Sequence, residues 1–352
     1  MAKIKETLIV LTPGFPKNEE DTTCLPFLQT HIRAVNQSFP ELEIIILAFQ
    51  YPFFGSVYNW HGNEVISFGG RERSKMSRFY IWLRVWRKLK KISRKKNIIG
   101  LFSLWCTECA LIGSRFGKLN GLKHFVWICG QDAKRGNKYV RLMRPKAIEL
   151  IAMSDFLKRE FNKNYGVSPA HVIPLGVDGG EFSDTLFNRD IDVLGIGSLI
   201  PLKQYDVFVK IIYRLVNFLP EINCVICGNG PERSKLDTLI SELQLKESIT
   251  FMGEIPHRQA LQSMQRAKIF LHTSNYEGFG TVCLEALYAG AHVVTFTKPM
   301  DIEIPNWHHV NSEEEMIIKV LELLQDDATI YESLCVYSSR DIAIAMIKLL
   351  YN

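Results

Sequence analysis

Residues 276–287, Tyr-Glu-Gly-Phe-Gly-Thr-Val-Cys-Leu-Glu-Ala-Leu, join the apolar run AKIFLHTS to an apolar segment of helical character. Gly278 and Gly280 leave the backbone uncovered where the helix is predicted to begin, and the first N–H groups of a helix have no partner inside it. Glu277 precedes this helix, and Glu285 interrupts its apolar face. Because a buried carboxylate needs a partner, the stretch predicts a strand–loop–helix unit that offers amides to an anion and carboxylates to hydroxyl groups. Taken singly, Glu277 also fits a partner of the helix dipole, and Glu285 fits half of an internal salt bridge.

Strands and helices alternate through the rest of the chain as well. Short β-branched runs between helical stretches are typical of a parallel, doubly wound sheet. The pattern pauses at 177–190, which is polar and contains two consecutive glycines, and then restarts. The 352 residues therefore predict an α/β protein of two Rossmann-like domains, 1–176 and 177–336, that face a cleft, and a helix within 337–352 able to cross back to the first domain. The runs lie at 7–12, 43–49, 97–104, 124–129, 149–154 and 171–176 and, after the pause, in IDVLGIGS, INCVICGNG, SITFMGEI, AKIFLHTS and HVVTFTK.

The composition indicates an ordinary globular protein with an uneven charge. Apolar residues make up 47% and charged residues 22%, which excludes disordered and low-complexity classes. The net charge of +5 conceals the segment 71–96, in which twelve Lys or Arg residues accompany one Glu. Its apolar positions from Phe79 have helical spacing, and Trp82 and Trp86 beside the cations fit an interfacial helix on an anionic membrane surface. A core-facing helix with a solvated basic face fits equally well, whereas no nucleic-acid-binding motif accompanies the charge.

Targeting and metal-binding patterns are weak. The apolar run at 7–12 is too short for a signal peptide and no stretch has the length of a membrane span, so we expect a cytoplasmic protein, peripheral at the inner face of the membrane if the basic segment binds lipid. The C-x-x-C pairs, Cys106/Cys109 and Cys224/Cys227, lie in apolar segments and predict buried thiols. Asp190-Ile-Asp192 matches a D-x-D metal motif, but it precedes a strand and lacks further ligands, so neither a metal nor another cofactor is predicted.

Two glycine turns follow successive strands of the second half. Gly197-Ser198-Leu-Ile-Pro-Leu-Lys203 can bring backbone amides and one full positive charge to an anion such as phosphate. Gly195-Ile-Gly197 lacks the third glycine of a dinucleotide-binding turn, and no acidic ribose partner follows, so a dehydrogenase is rejected. The second turn, Cys227 to Pro231, contains Gly228. Each turn alone also fits an ordinary loop between a strand and a helix.

Together these segments resemble glycosyltransferase family 4. Glu277 and Glu285 are similar to its E-x7-E motif, and GSLIPLK resembles its donor-phosphate turn. VICGNGPERSKLDTLISELQL and ITFMGEIP are similar to the stretch that follows, and SDFLKREFNKNYGVSPAHVIPLGVD (154–178) to the end of the N-terminal domain. The resemblance is strong over about 150–295. It implies a GT-B fold and a retaining enzyme that depends on a nucleotide sugar.

The resemblance also implies roles for single residues. Lys203 would hold the donor diphosphate, Glu285 would bind the ribose hydroxyls, and Glu277 would hold the transferred sugar. As catalytic residues it implies Glu277, Lys203 and Asp132. The donor-binding residues would be Gly197, Ser198, Lys203, Gly228, Gly253, Ile255, Glu277, Gly278, Phe279, Gly280, Thr281 and Glu285.

The implied reaction moves a hexose-type sugar from a UDP- or GDP-sugar to a saccharide or lipid-linked saccharide, in the synthesis of a surface polysaccharide or glycolipid, without a metal. Several positions depart from the family pattern. Ser198 stands where arginine is frequent, Cys129 where histidine is frequent before Gly130-Gln131-Asp132, and Leu175 where asparagine is usual. These departures motivate an alternative, a non-catalytic homologue that binds sugar nucleotide or serves as scaffold for another transferase.

Overall fold

A computed structural model describes residues 5–70 and 75–352 of the chain, without the side chains of 75–77. The chain divides into two compact units. The first contains residues up to Leu175 together with Ser339–Asn352, and the second is Gly176–Ser338. The first division thus falls one residue before the expected boundary at 176, and the second two residues after the expected boundary at 336.

The first unit is built on a sheet of eight strands among the described residues. The strands follow the order β3-β4-β2-β1-β5-β6-β7-β8, and all neighbouring pairs are parallel except β3 with β4. The strands are β1 (Glu6–Gly14), β2 (Glu43–Tyr51), β3 (Gly55–Trp60), β4 (Asn63–Phe68), β5 (Asn97–Leu104), β6 (His124–Ile128), β7 (Leu150–Ala152) and β8 (His171–Val172). The helices are α1 (Pro26–Ser38), α2 (Lys75–Ser93), α3 (Glu108–Asn120), α4 (Lys138–Met143) and α5 (Asp155–Tyr165).

The hairpin of β3 and β4 is absent from the sequence prediction. β3 lies at the edge of the sheet and alternates exposed and partly buried residues, so it lacks the continuous apolar run of the central strands. Trp60 at its end is fully buried and packs edge-on against Phe15 with 4.9 Å between ring centroids. The hairpin is held by that one aromatic anchor and by pairing with β4, a signal that periodicity does not carry.

Helix α2 forms where the basic segment predicted a helix, although its buried face differs from the expected one. Ile81, Val85, Leu89 and Ile92 are buried against the core of the first unit. Trp86 packs edge-on against Phe116 there, at 5.3 Å between ring centroids, and Trp82 also packs on this core. The two tryptophans therefore face the protein, which corrects the expectation that they lie on a lipid-facing side; Phe79 and Leu83 are exposed instead. Residues 71–74 of the predicted segment lie outside the described residues.

The second unit is built on a fully parallel sheet, with six strands among the residues that the structure describes. Their order is β11-β10-β9-β12-β13-β14, so the chain winds outward from β9 to one edge and then from β12 to the other. The strands are β9 (Ile191–Ile196), β10 (Cys224–Cys227), β11 (Ile249–Gly253), β12 (Ala267–His272), β13 (His292–Thr295) and β14 (Trp307–His309). The helices are α6 (Tyr205–Leu215), α7 (Arg233–Glu242), α8 (His257–Arg266), α9 (Thr281–Tyr288) and α10 (Glu313–Gln325).

The last helix, α11 (Ser339–Tyr351), belongs to the first unit. It packs against α1, and its Leu350 fills the space over Gly100, where a Cβ would lie 2.5 Å from Leu350 Cδ2. Lys123 Nζ donates to the Leu350 carbonyl at 2.9 Å. The C-terminal residues are thus part of the structure of the first unit.

The cysteines and the membrane criterion complete the description. Cys106, Cys109, Cys224 and Cys227 are buried free thiols. Within 5–70 and 75–352, no helix combines the length and the apolar character needed to cross a membrane.

Candidate donor site in the second unit

The predicted site residues gather where the strand order of the second unit reverses. β9 and β12 are neighbours, and the chain leaves their carboxyl ends in opposite directions. Open parallel sheets bind ligands in the crevice at such a point because the two departing loops separate there. The loop after β9 carries Lys203, and the loop after β12 carries Glu277. Their side chains form an ion pair, so residues 74 positions apart in sequence meet at this point.

The turn after β9 is held against the turn after β10. A Cβ on Gly228 would lie 1.9 Å from the Gly197 carbonyl oxygen, so the close approach of the two turns requires glycine at 228. Backbone bonds connect the turns in series: Gly197 N–H donates to the Cys227 carbonyl at 3.0 Å, and Gly228 N–H to the Gly253 carbonyl at 2.7 Å. Three of the predicted glycines thus lie on successive hydrogen-bonded loops at one edge of the sheet.

Lys203 is fixed by its backbone, and its side chain extends toward Glu277. It ends a short 3-10 helix, Pro201–Lys203, just before α6. The Thr273 hydroxyl, from the loop after β12, donates to the Lys203 carbonyl at 2.9 Å and to that of Gln204 at 3.0 Å. The Lys203 side chain is 19% exposed and that of Glu277 22%. The pair is therefore shielded from bulk water but open to a small polar ligand.

The carboxylate of Glu277 is held in its ionised form. Burial raises the pKa of Glu277, but contact with His272 and the positive charge of Lys203 outweigh it and hold the pKa at about 2. His272 Nε2 lies 3.3 Å from Glu277 Oε2 without the geometry of a hydrogen bond. Burial lowers the pKa of His272, Glu277 opposes this, and the charge of Lys203 lowers the pKa again. At neutral pH the three side chains are thus a cation, an anion and a neutral imidazole.

Two polar atoms beside this pair lack hydrogen-bond partners among the described residues. They are His272 Nε2 and Ser274 Oγ, both buried at the end of β12. Sequence analysis did not select His272, Thr273 or Ser274. Their signal is visible in the sequence, because the polar triplet His-Thr-Ser ends a strand, AKIFLHTS, that is otherwise apolar apart from Lys268. Unpaired buried polar atoms next to an ion pair mark a place where a polar ligand can bind.

The glycine loop before α9 is anchored by its phenylalanine. Phe279 is 2% exposed and packs edge-on against Trp307 and Tyr337, at 6.1 and 5.9 Å between ring centroids. Gly280 has a φ of 84°, in the left-handed region that favours glycine, and α9 begins at Thr281. The side chain of Phe279 is thus a packing residue. Its backbone amide and those of Gly278 and Gly280 remain the groups available for an anion.

Glu285 lies one turn into α9 and meets a histidine. His257 Nε2 lies 2.9 Å from Glu285 Oε1, and His257 Nδ1 lies 3.7 Å from Glu181 Oε2. The Glu285 side chain is 15% exposed. The internal partner that the sequence left open as an alternative is therefore present in the ligand-free protein, and sequence analysis did not identify His257 as that partner.

The remaining predicted residues differ in their surroundings. Ser198 is exposed on the turn after β9, and Ile255 is partly exposed beyond β11. Asp132 belongs to the first unit, where its carboxylate accepts backbone N–H groups from Cys106 at 2.9 Å, Cys129 at 3.2 Å and Gly130 at 2.8 Å. Those bonds join the loops after β5 and β6, so Asp132 shapes the backbone there.

Metal ligands are not clustered at this site. Throughout the part of the chain that the structure describes, no group of three or more His, Cys, Asp or Glu residues is placed to hold a metal ion. The D-x-D carboxylates are in ion pairs at the start of β9, Asp190 with Arg266 and Asp192 with Lys268. Independence from metal stays a prediction.

Comparison with known proteins begins with a family model described as Glycosyl transferases group 1, which matches residues 181–327. This range contains the strands, loops and helices that form the candidate site.

Similar proteins give the same picture at different depths. Over 126 residues the chain is 31% identical to one component of the Homo sapiens phosphatidylinositol N-acetylglucosaminyltransferase, which is 35% of this chain and 26% of that protein. Over 205 residues it is 25% identical to a Campylobacter jejuni diphospho-undecaprenol 4-alpha-N-acetylgalactosaminyltransferase, 54% of this chain and 55% of that one. The match thus spans about a quarter of the human protein's length and about half of the bacterial protein's.

A solved structure extends the similarity of fold to both units. The Anabaena protein HepE, solved in complex with UDP and glucose, superposes with a TM-score of 0.69 at 15% identity, over 99% of this chain and 97% of that one. The chain therefore has the GT-B architecture, as the sequence predicted.

Proposed function

The second unit of this chain is a group 1 glycosyltransferase domain within a GT-B fold, and from that premise we propose that the protein transfers a sugar from a nucleoside diphosphate donor to a lipid-linked saccharide, with retention of the anomeric configuration. The observation that carries the proposal is the Lys203–Glu277 ion pair at the point where the strand order reverses. A cation, a carboxylate and the glycine-rich start of a helix lie together there. Diphosphate oxygens accept from cations and amides, and sugar hydroxyls donate to carboxylates.

In the ligand-free protein Lys203 neutralises Glu277. When a donor binds, its diphosphate would take the ammonium of Lys203, and the Glu277 carboxylate would become available to the sugar hydroxyls. Lys203 would then stabilise the charge that develops on the departing diphosphate. The protein supplies this charge from a side chain, which supports a reaction that needs no metal.

The donor that we propose first is UDP-N-acetylglucosamine. The human relative is named as an N-acetylglucosaminyltransferase and the Campylobacter relative as an N-acetylgalactosaminyltransferase, so both transfer an N-acetylhexosamine. UDP is the nucleotide in the complex of the Anabaena protein. The acceptors in the two relatives' names, phosphatidylinositol and a diphospho-undecaprenol, are lipids, which supports a lipid-linked acceptor here.

Glu285 would bind the ribose of the nucleotide. Its carboxylate is held by His257 at 2.9 Å in the ligand-free protein, so it is already ionised and oriented. His257 and the ribose hydroxyls can share the two carboxylate oxygens, because an ionised carboxylate accepts several hydrogen bonds.

Measurement of nucleoside diphosphate release tests the proposal. The protein is incubated with UDP-, GDP- and ADP-sugars, with and without an undecaprenyl-diphosphate-linked saccharide, in the presence of EDTA. We expect acceptor-dependent release of UDP from UDP-N-acetylglucosamine. A Glu285→Ala variant should lose at least about tenfold in kcat/KM, since a charge-assisted hydrogen bond contributes roughly 1.5–3 kcal/mol.

The non-catalytic alternative makes a different prediction. A sugar-nucleotide-binding scaffold would raise its Tm with UDP yet release no diphosphate from any donor. That result would overturn transfer while leaving the donor site in place. Absence of both the Tm shift and turnover would overturn the site itself.

A further inference from the structure

Exposed apolar side chains occur on the first unit where helix α2 lies beside the β3–β4 hairpin. Phe54 is 56% exposed, Val57 61%, Phe79 59% and Tyr80 60%. Phe54 and Val57 are in or next to edge strand β3, and Phe79 and Tyr80 are in the first turns of α2. The apolar face of α2 that packs on the core is a different stripe, with Ile81, Val85 and Leu89 buried. These four residues are therefore additional to the core.

Basic side chains continue the same exposed face of α2 toward its C-terminus. Arg87, Lys90, Lys91 and Arg94 are exposed. Among the residues that the structure describes, no carboxylate lies within salt-bridge distance of Arg87 or Lys91, whereas Lys88 lies 3.7 Å from Glu64. The exposed side of the helix thus changes from aromatic to cationic along its length.

A groove joins the helix to the hairpin. It measures about 440 Å³ and is lined by Val57 and Ser56 of β3 and by Arg84, Arg87 and Lys91 of α2. Arg84 bridges the two elements: its guanidinium donates to the Phe68 carbonyl at 3.3 Å and lies over the ring of Tyr80, 5.9 Å from the centroid. Both sides of the groove are therefore held in register, with cations along its length and aromatic rings beside it.

We propose that this aromatic–basic surface, formed by Phe54, Val57, Phe79, Tyr80, Arg87 and Lys91, docks the first unit on a bilayer of anionic phospholipid. Aromatic rings are stable at headgroup depth, where they exchange water for the upper acyl chains, and cations bind the phosphates of anionic lipids. Neither component alone is enough, because single cations and single rings bind reversibly and weakly. The rings and the cations lie side by side, which matches the layering of a lipid surface.

A bilayer accounts for the surface better than other anionic partners. A nucleic acid would use the cations and stack its bases on rings, but the rings lie at one end of the helix face and are not interleaved with the cations along it. The surface does not depend on the proposed sugar transfer, and it is tested without turnover.

The test is sedimentation of the whole chain with vesicles of phosphatidylcholine containing 30% phosphatidylglycerol, at 50 and 500 mM salt. We expect binding at low salt, at least about tenfold weaker binding to phosphatidylcholine alone, and a marked loss at high salt. A Phe54→Ser/Phe79→Ser variant and an Arg87→Glu/Lys91→Glu variant should each bind at least about tenfold more weakly.

Matched variants keep the test specific. Leu186→Ser/Phe218→Ser removes exposed apolar residues of the second unit, 99% and 62% exposed, and Lys246→Glu/Lys348→Glu reverses two exposed charges elsewhere. Both should bind like wild type, and all variants are compared at equal Tm. Equal loss in the matched variants, equal binding to uncharged vesicles, or displacement by a single-stranded oligonucleotide at concentrations below those of inorganic phosphate would overturn the proposal.

Discussion

Three side chains decide the chemistry of the second unit: Lys203, Glu277 and His272. Each is costly to bury alone, and together they reduce that cost, because the cation and the carboxylate are paired and the imidazole is kept neutral by burial. This arrangement leaves a charged pair ready to be separated by a ligand of opposite demands, a diphosphate for the lysine and hydroxyl groups for the glutamate.

The lowered pKa of Glu277 predicts how stability depends on pH. A carboxylate whose folded pKa of about 2 lies below its ordinary value of 4.5 stabilises the fold above pH 4.5, and this contribution is lost as pH falls toward 2. For the shift cited, the contribution is of the order of 3 kcal/mol. The difference in unfolding free energy between wild type and Glu277→Gln should therefore be largest near pH 7 and shrink between pH 4.5 and 2. Denaturation followed across this range measures it, and a difference independent of pH would contradict the pairing.

Gly228 predicts a steric effect at a single atom. In Gly228→Ala the new Cβ would meet the Gly197 carbonyl oxygen at 1.9 Å, so the two turns must separate. We expect a loss of at least about 2 kcal/mol in stability and a loss of UDP binding. Gly180→Ala is the control, since its Cβ would meet an Asp178 oxygen at 3.4 Å, an ordinary contact. Thermal denaturation and a UDP-induced Tm shift compare them; equal behaviour of the two variants would show that the turns are not in close contact.

At the scale of helices and strands, the sequence predicted the parts of the fold that have a periodic signal. The central strands are continuous apolar runs, and each was placed within a few residues of its observed ends. Edge strands carry no such run: β3 alternates polar and apolar residues, and β14 has three residues. For α2 the period was correct but the side was not, because periodicity does not tell which apolar stripe meets the core.

The candidate site was predictable to the same extent. Glycines and charged residues on loops after strands gave Lys203, Glu277 and Glu285. His272 and His257 were missed because their role depends on a neighbour distant in sequence: Glu277 belongs to the loop beyond β12, and Glu285 lies 28 residues after His257. Such pairings follow from tertiary structure and leave no spacing in the sequence.

The C-terminal helix predicts that residues at the end of the chain stabilise its beginning. Ile347 is 1% exposed in α11, whereas Lys348 is exposed. Ile347→Ala should lower the stability of the first unit by about 3 kcal/mol, and Lys348→Ala should change it by less than about 0.5 kcal/mol. Chemical denaturation followed by tryptophan fluorescence measures the difference, because Trp60, Trp86 and Trp127 all belong to the first unit. Similar stabilities of the two variants would mean that α11 is not packed as described.

At the scale of the molecule, the two units carry different features. The second unit contains the strand-order reversal, the ion pair and the family match at residues 181–327. The first contains the eight-stranded sheet and the aromatic–basic surface. The net charge of +5 for the whole chain hides this division, because much of the excess belongs to the basic segment of the first unit.

The affinity for UDP of wild type and Lys203→Ala, measured by titration calorimetry without metal, tests the central claim that the loops after β9 and β12 bind a donor diphosphate. Lys210→Ala is the control, since Lys210 lies on the exposed side of α6 in an ion pair with Asp206 at 3.0 Å. We predict that Lys203→Ala binds UDP at least about tenfold more weakly, the loss expected for one charge-assisted bond, and that Lys210→Ala binds like wild type. Equal affinity of wild type and Lys203→Ala would contradict the assignment of the site.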